Sequence, residues 1–106
     1  LAVDRKMFSE SLSRVSVLSS EKYKGVKFLT KENSLNISAV NEEGEENLVC
    51  EYKGEEINIG FNVYYIQQIL STINSDKVVI DFFGSKCCII TDPNSNDLKY
   101  VVMAFI

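Results

Sequence analysis

A chain of 106 residues can form one domain around a single hydrophobic core. Its 45% hydrophobic and 25% charged residues are typical of a globular protein, and no apolar run is long enough for a transmembrane helix. The net charge of −4 argues against a surface that binds nucleic acid over its whole extent, but it allows a local basic face. Because the chain has no histidine, it lacks the commonest general base and metal ligand, and its composition disfavours an enzyme.

The cysteines and the start of the chain bear on its location and origin. Cys50, Cys87 and Cys88 are an odd number without the spacing of a disulfide framework, which predicts reduced thiols and a cytoplasmic protein. No basic segment followed by an apolar one marks a secretory signal at the N-terminus. Since Leu1 is not an initiator Met and patterned sequence follows at once, we expect this chain to be part of a longer protein.

The first half of the chain predicts a strand, a helix and three further strands. A short strand, Leu1–Val3, precedes Asp4, whose carboxylate can cap the first turn of a helix. Phe8, Leu12 and Val15 then recur at helical spacing. Alternating segments, each ended by turn or polar residues, predict three strands at Val26–Thr30, Leu35–Val40 and Leu48–Lys53.

The second half repeats this order. An alternating segment, Ile57–Phe61, precedes Asn62, a good capping residue for a helix. The apolar face of this helix carries Val63, Ile66, Ile69, Leu70 and Ile73. Alternating patterns then predict three strands at Lys77–Phe83, Lys86–Thr91 and Leu98–Phe105.

The two halves can be superposed as sequences. Laying Asp4 on Asn62 brings both caps and the three apolar helix positions of each half into register. The repeat predicts an α+β domain of two half-domains related by a pseudo-twofold axis. In this fold, two helices pack on two antiparallel four-stranded sheets.

Four segments resemble the third, C-terminal domain of the bacterial DNA sliding clamp, the beta subunit of DNA polymerase III. They are Val17–Gly25, the acidic run Glu42–Glu46, Ile59–Tyr65 (Ile-Gly-Phe-Asn-Val-Tyr-Tyr) and Tyr100–Met103 (Tyr-Val-Val-Met). Their order and spacing also match, so the resemblance covers essentially the whole chain. It implies the DNA-clamp fold, with residues 1–106 as one domain of a three-domain subunit. The chain departs from the family after Met103, where the family's usual proline and basic residue are missing.

The resemblance also implies a function. The family is a non-catalytic processivity factor, a head-to-tail homodimer that needs no cofactor or metal. One expected partner is duplex DNA, which the full ring encircles without regard to sequence. DNA polymerase III and other proteins would bind through short clamp-binding peptides. The clamp loader is the third expected partner.

Three groups of site residues follow from the resemblance. The peptide-binding groove would contain Tyr65, Lys86, Cys88, Val101, Met103 and Phe105. The subunit interface would contain Val17, Leu18, Glu42, Glu43, Glu45 and Glu46. The residues facing DNA would be Lys6, Lys22, Lys24, Gln67 and Gln68.

The residues alone leave simpler interpretations open. The last strand is apolar on both faces, as in a central buried strand or in a strand with one face open for docking. Val17 lies about 180° from the apolar face of its helix, which an isolated surface side chain also explains. The acidic run and the polar helix faces are compatible with ordinary solvated surface.

Two other functions compete with the clamp. One is a stand-alone peptide-binding adaptor of similar fold that never meets DNA. The other is an enzyme that uses Cys88, but no histidine can activate that thiol and no basic cluster in the sequence surrounds it.

Overall fold

The structure is a computed structural model that describes residues 1–18, 25–39, 44–95 and 99–104; the side chain of Leu18 is not described. Within these residues, two helices and eight strands follow in the predicted order, which confirms the α+β prediction. They are β1 (Ala2–Asp4), α1 (Arg5–Leu18), β2 (Gly25–Lys31), β3 (Ser34–Ala39), β4 (Glu45–Val49), β5 (Asn58–Asn62), α2 (Val63–Thr72), β6 (Lys77–Phe83), β7 (Cys87–Thr91) and β8 (Lys99–Met103). Neither helix is long and apolar enough to cross a membrane.

Both helices begin at the predicted capping residues. The carboxylate of Asp4 accepts a hydrogen bond from the backbone N–H of Met7 at 2.9 Å. The side-chain oxygen of Asn62 accepts one from the N–H of Tyr64, also at 2.9 Å. Each cap satisfies a backbone donor that has no partner within the first helical turn, and it fixes where the helix begins.

The first strand of each half of the chain pairs in the sheet formed by the other half. One sheet has the order β1-β6-β7-β8 and the other the order β4-β3-β2-β5. All strand pairs are antiparallel, with β1 beside β6 and β5 beside β2. The sheets also meet at Ala2 and Glu51, whose backbones exchange two hydrogen bonds of 2.8 Å. The predicted pseudo-twofold arrangement of two four-stranded sheets is therefore confirmed.

The helices bury the predicted apolar faces in one core. Phe8 of α1 contacts Phe28 of β2 edge to face, with ring centroids 5.8 Å apart. Phe28 also contacts Phe61 of β5 at 5.3 Å. The other apolar positions that coincide between the two halves are buried as well: Leu12, Val15, Ile66, Leu70 and Ile73. Aromatic side chains from both halves thus form the centre of the core.

Two differences between the predicted and observed strand boundaries involve predicted site residues. We expected a strand at Leu48–Lys53, but β4 spans Glu45–Val49 and pairs with β3 along that length. Glu45 and Glu46 are tolerated there because β4 is at the edge of its sheet, where alternate side chains reach water. We also expected Lys86 in a strand, but it lies in the turn before β7; this turn contains Gly84, whose φ of 59° suits glycine.

A buried polar network holds the segment that begins directly after β7. The hydroxyl of Ser75 donates to the carboxylate of Asp92, which also accepts from the backbone N–H of Asn94. These bonds, that of Ser75 foremost, hold the pKa of Asp92 below its ordinary value. The guanidinium of Arg5 donates to the Ser75 carbonyl oxygen at 2.7 Å. The start of α1 is thereby tied, through Ser75, to Asp92 directly after β7.

We predict that Phe28→Ala lowers the free energy of unfolding by roughly 3–5 kcal/mol, because it leaves a cavity between two other aromatic rings. Met7→Ala, on the exposed side of α1, is the matched control and should change stability by less than about 0.5 kcal/mol. Urea unfolding followed by circular dichroism measures both. Equal effects of the two substitutions would show that the core is not centred on Phe28.

Candidate functional site

A cleft of about 490 Å³ lies between α2 and the edge strand β8. The helix contributes one wall and the strand the other. The lining residues are Tyr65, Gln68, Ile69, Thr72, Tyr100, Val101, Val102 and Met103. The helical residues recur at intervals of three or four positions and therefore share one face of α2.

The cleft concentrates exposed apolar side chains. Tyr65 is 59% exposed, Val101 63% and Met103 67%. Single exposed apolar residues are common on protein surfaces, but a group of them around one concavity is typical of a docking site. The phenol of Tyr100 and the hydroxyl of Thr72 share a hydrogen bond of 2.9 Å, which joins the two walls. This bond holds the strand at a fixed distance from the helix.

The structure brings together three of the six predicted groove residues. Tyr65, Val101 and Met103 line the cleft. Lys86 is not part of its lining, although the Lys86 carbonyl oxygen accepts a 2.9 Å hydrogen bond from Ala104, just beyond β8. Phe105 lies outside the described residues.

Cys88 lies in the core instead of the cleft. It is fully buried and pairs across the strands with Val102, which is also buried. Burial raises the pKa of the Cys88 thiol to about 12, and the neighbouring Cys87 adds to the rise. The thiol is therefore protonated at neutral pH and is a weak nucleophile. Among the residues that the structure describes, no cluster of acidic or cysteine side chains could hold a metal ion.

The sequence interpretation missed part of the cleft. Ile69 was predicted on the apolar face of α2 but not as part of a groove. Thr72 could have been found from its spacing, since it lies seven residues after Tyr65 and three after Ile69 and shares their helix face. Gln68 was expected to face DNA, but it lines the cleft. Tyr100 gave no local signal, because its role depends on a hydrogen bond to the distant Thr72.

The predicted interface residues lie on α1 and β4. Val17 is 82% exposed, so this apolar side chain makes little contact with the core. Glu45 is exposed on β4, while the half-buried Glu46 forms an ion pair with Arg14 of α1 at 2.7 Å. Glu42 and Glu43 lie outside the described residues, as does the side chain of Leu18.

Three of the five residues expected to face DNA can be placed, and one of them is Gln68 in the cleft. Lys6 is exposed on α1, and Gln67 is partly exposed on α2. Lys22 and Lys24 fall outside the described part of the chain.

A larger cleft of about 740 Å³ lies beside β1. Its walls include Tyr52 and Phe82, together with the charged residues Glu51, Lys53 and Asp81. None of the predicted site residues lines it. The smaller cleft between α2 and β8 is therefore the candidate site, because it contains the exposed apolar residues that the sequence indicated.

Two helices on two antiparallel four-stranded sheets, with an apolar cleft beside the second helix, are the features to compare with known proteins. Residues 1–105 match the model of the DNA polymerase III beta subunit, C-terminal domain. The beta sliding clamp of Haemophilus influenzae is 36% identical over 104 residues, which cover 92% of this chain and 28% of that protein. The Escherichia coli K12 beta sliding clamp is 37% identical over 101 residues, with the same coverage.

Solved structures agree with these relatives. The DNA polymerase III subunit beta of Pseudomonas aeruginosa superposes with a TM-score of 0.92 at 31% identity, over 99% of this chain and 30% of that one. A sliding clamp of Bartonella birtlesii bound to griselimycin gives 0.94 at 28% identity, again over 99% and 30%. The chain belongs to the family of DNA polymerase III beta subunits, the bacterial sliding clamps, and matches their C-terminal domain. It spans less than a third of the length of these relatives.

The raised pKa of Cys88 predicts a loss of stability in alkaline solution. Its ordinary value is 9.0, so between about pH 9 and 12 the unfolded chain releases this proton while the folded chain retains it. Stability from this group is complete below pH 9 and falls as pH rises through that window. Urea unfolding of wild type and Cys88→Ala should give free energies that converge as pH increases. A difference that stays constant from pH 8 to 11 would contradict a buried, protonated thiol.

Proposed function

We propose that residues 1–106 are the third domain of a bacterial sliding clamp, a non-catalytic processivity factor of the replicative DNA polymerase. The family membership supports this proposal, since the relatives named above are beta sliding clamps. The complete protein would be a head-to-tail homodimer that encircles duplex DNA in the cytoplasm. A clamp loader would place it there.

The cleft between α2 and β8 would bind short peptides of DNA polymerase III and other clamp-binding proteins. The observation that carries this proposal is the exposure of Tyr65, Val101 and Met103 around one cleft. Its volume of about 490 Å³ lies in the usual range for ligand sites and can hold one or two large apolar side chains. Methionine suits a site with several partners, because its flexible side chain adapts to different shapes.

The edge position of β8 supports an extended ligand. In its sheet β8 pairs only with β7, so its outer backbone groups could hydrogen-bond to a peptide in an extended conformation. Phe105 and Lys86 would flank the end of the groove, near Ala104. Cys88 would support the groove from the core without touching the peptide.

The opposite edge of the domain would form the joint between subunits. Val17 and Leu18 would supply its apolar contacts, and the acidic residues of and before β4 would form its charged part, next to the first domain of the other subunit. These acidic residues are Glu42, Glu43, Glu45 and Glu46. The exposure of Val17 supports this role, because an apolar side chain with little contact to its own core gains from burial by a partner.

The helices would line the bore of the ring. Lys6 and Gln67 would face the DNA, with Lys22 and Lys24 beyond α1. Contacts of this kind go to the phosphate backbone and carry no sequence information, which suits a protein that slides. Gln68 is less suited to this role because it lines the cleft.

Met103→Ala tests the peptide-binding proposal. Truncating a central apolar contact commonly costs more than about 2 kcal/mol, so affinity should fall by more than roughly tenfold. The measurement is a titration of the full-length clamp that carries this domain with a labelled peptide from the polymerase tail.

Lys6→Ala is the matched control for that titration, because α1 makes no part of the cleft. It should leave peptide affinity unchanged while slightly weakening clamp binding to DNA. Wild-type affinity in Met103→Ala, or loss of the peptide in Lys6→Ala, would mean that the groove lies elsewhere.

A further inference from the structure

Glu46, one of the acidic residues expected at the subunit joint, already has a partner within its own domain. Its Oε1 atom accepts a hydrogen bond of 2.8 Å from Nε of Arg14, and Nη2 of the same guanidinium lies 2.7 Å from it as an ion pair. The Ser11 hydroxyl, on a fully buried residue, lies 3.2 Å from Arg14 Nη2 and 3.5 Å from the same Glu46 oxygen. The three side chains connect the middle of α1 to the edge strand β4.

The pseudo-twofold axis shows that this connection has a counterpart. Laying Asp4 on Asn62 places Arg14 on Thr72, and laying β4 on β8 places Glu46 on Tyr100. Thr72 and Tyr100 are themselves joined by the 2.9 Å hydrogen bond across the cleft.

The two edge strands also share one burial pattern. Along both β4 and β8 it runs exposed, intermediate, exposed, buried, exposed. Both halves therefore tie the helix to the edge strand at the same place, once by an ion pair and once by a neutral hydrogen bond. The recurrence argues that the ion pair is part of the fold instead of a chance surface contact.

Residues 45 and 46 point to opposite sides of β4, because successive side chains of a strand alternate. Glu46 is on the helix side, where Arg14 and Ser11 bind it. Glu45 is exposed, and its carboxylate accepts one hydrogen bond of 3.1 Å from Asn36 of β3. Of the two, Glu45 is the one more open to a partner.

We infer that Glu46 is a positioning residue of the subunit joint: Arg14 binds it internally, and this pair holds β4 against α1 so that the strand edge and Val17 form one docking surface. The inference rests on the proposed subunit joint. In this arrangement Glu45 faces the neighbouring subunit, and Glu46 does not pair with that subunit's basic residues.

The solvent exposure of the Arg14–Glu46 pair explains why its loss should affect the assembled dimer more than the separate chain. The side chains of Arg14 and Glu46 are 58% and 31% exposed, and an ion pair this accessible contributes little to the stability of the separate chain. A subunit that docks on β4 excludes water, and a charge left without its partner then becomes costly. Loss of either partner should therefore weaken the dimer more than it weakens the fold.

A charge swap distinguishes an internal pair from one between subunits. The measurement is the dimer dissociation constant of the full-length clamp by analytical ultracentrifugation. Glu46→Arg alone should raise this constant by at least about tenfold, because Arg14 then faces a like charge. Adding Arg14→Glu restores the pair in reversed order and should return the constant to within about threefold of wild type.

Arg14→Met is a second test, and it does not require that the fold accept the two charges in exchanged positions. If Glu46 is bound internally, removing its partner should weaken the dimer. If Glu46 instead pairs with the other subunit, losing Arg14 should leave the dimer unchanged or strengthen it. Thermal unfolding of each variant shows whether the domain itself remains folded.

Val17→Ala and Glu45→Arg test the joint itself, and both should weaken the dimer. Suppose that both variants weaken the dimer, that the charge swap fails to restore dimer affinity, and that Arg14→Met leaves the dimer intact. The internal role of Glu46 is then wrong. If neither weakens the dimer, the proposed joint is wrong and the inference fails with it. Restoration by the swap, together with weakening in Arg14→Met, supports the inference.

Discussion

The exchange of first strands between the two halves is the constraint on which the rest of the structure depends. Because β1 pairs with β6 and β5 with β2, neither half can complete its sheet alone. The exchange brings Phe8, Phe28 and Phe61 together in one core. It also leaves the last strand of each half, β4 and β8, at the edge of its sheet. Both proposed docking surfaces of the domain are built on these two strands.

The two edges differ in the chemistry of three equivalent positions. At the β8 edge, Ile69, Thr72 and Tyr100 leave a cleft with an apolar floor and one neutral hydrogen bond. At the β4 edge, the corresponding residues are Ser11, Arg14 and Glu46, which form a charged network. An apolar cleft favours large apolar side chains of a ligand, whereas a charged edge favours a partner of complementary charge. One scaffold thereby presents two surfaces for two kinds of partner.

Much of the fold could be predicted from the sequence because its signals are local. Helical periodicity identified the buried faces of α1 and α2, and Asp4 and Asn62 identified where they begin. The edge strand β4 was misplaced because Glu45 and Glu46 look like part of a polar loop. Their strand conformation depends on pairing with β3, which no local pattern reveals.

The candidate site was harder to predict. Cys87–Ile90 is a continuous apolar run, so the sequence could not decide which face of β7 points to the core, and Cys88 was assigned to the groove. In the structure Cys88 pairs with the buried Val102, and this pairing places Cys88 on the core face of β7. The contacts between Thr72 and Tyr100 and between Arg14 and Glu46 join residues far apart in the chain. Such contacts depend on the tertiary structure and leave no signal in a single sequence.

The most direct test of this account is a map of where a clamp-binding peptide contacts the domain. Amide chemical shifts of the ¹⁵N-labelled chain can be followed by NMR while a polymerase-tail peptide is added. The account predicts that the largest changes occur in α2 and β8, around Tyr65, Thr72 and Met103, with α1 and β4 nearly unchanged. Changes centred on α1 and β4, or on the larger cleft beside β1, would contradict it.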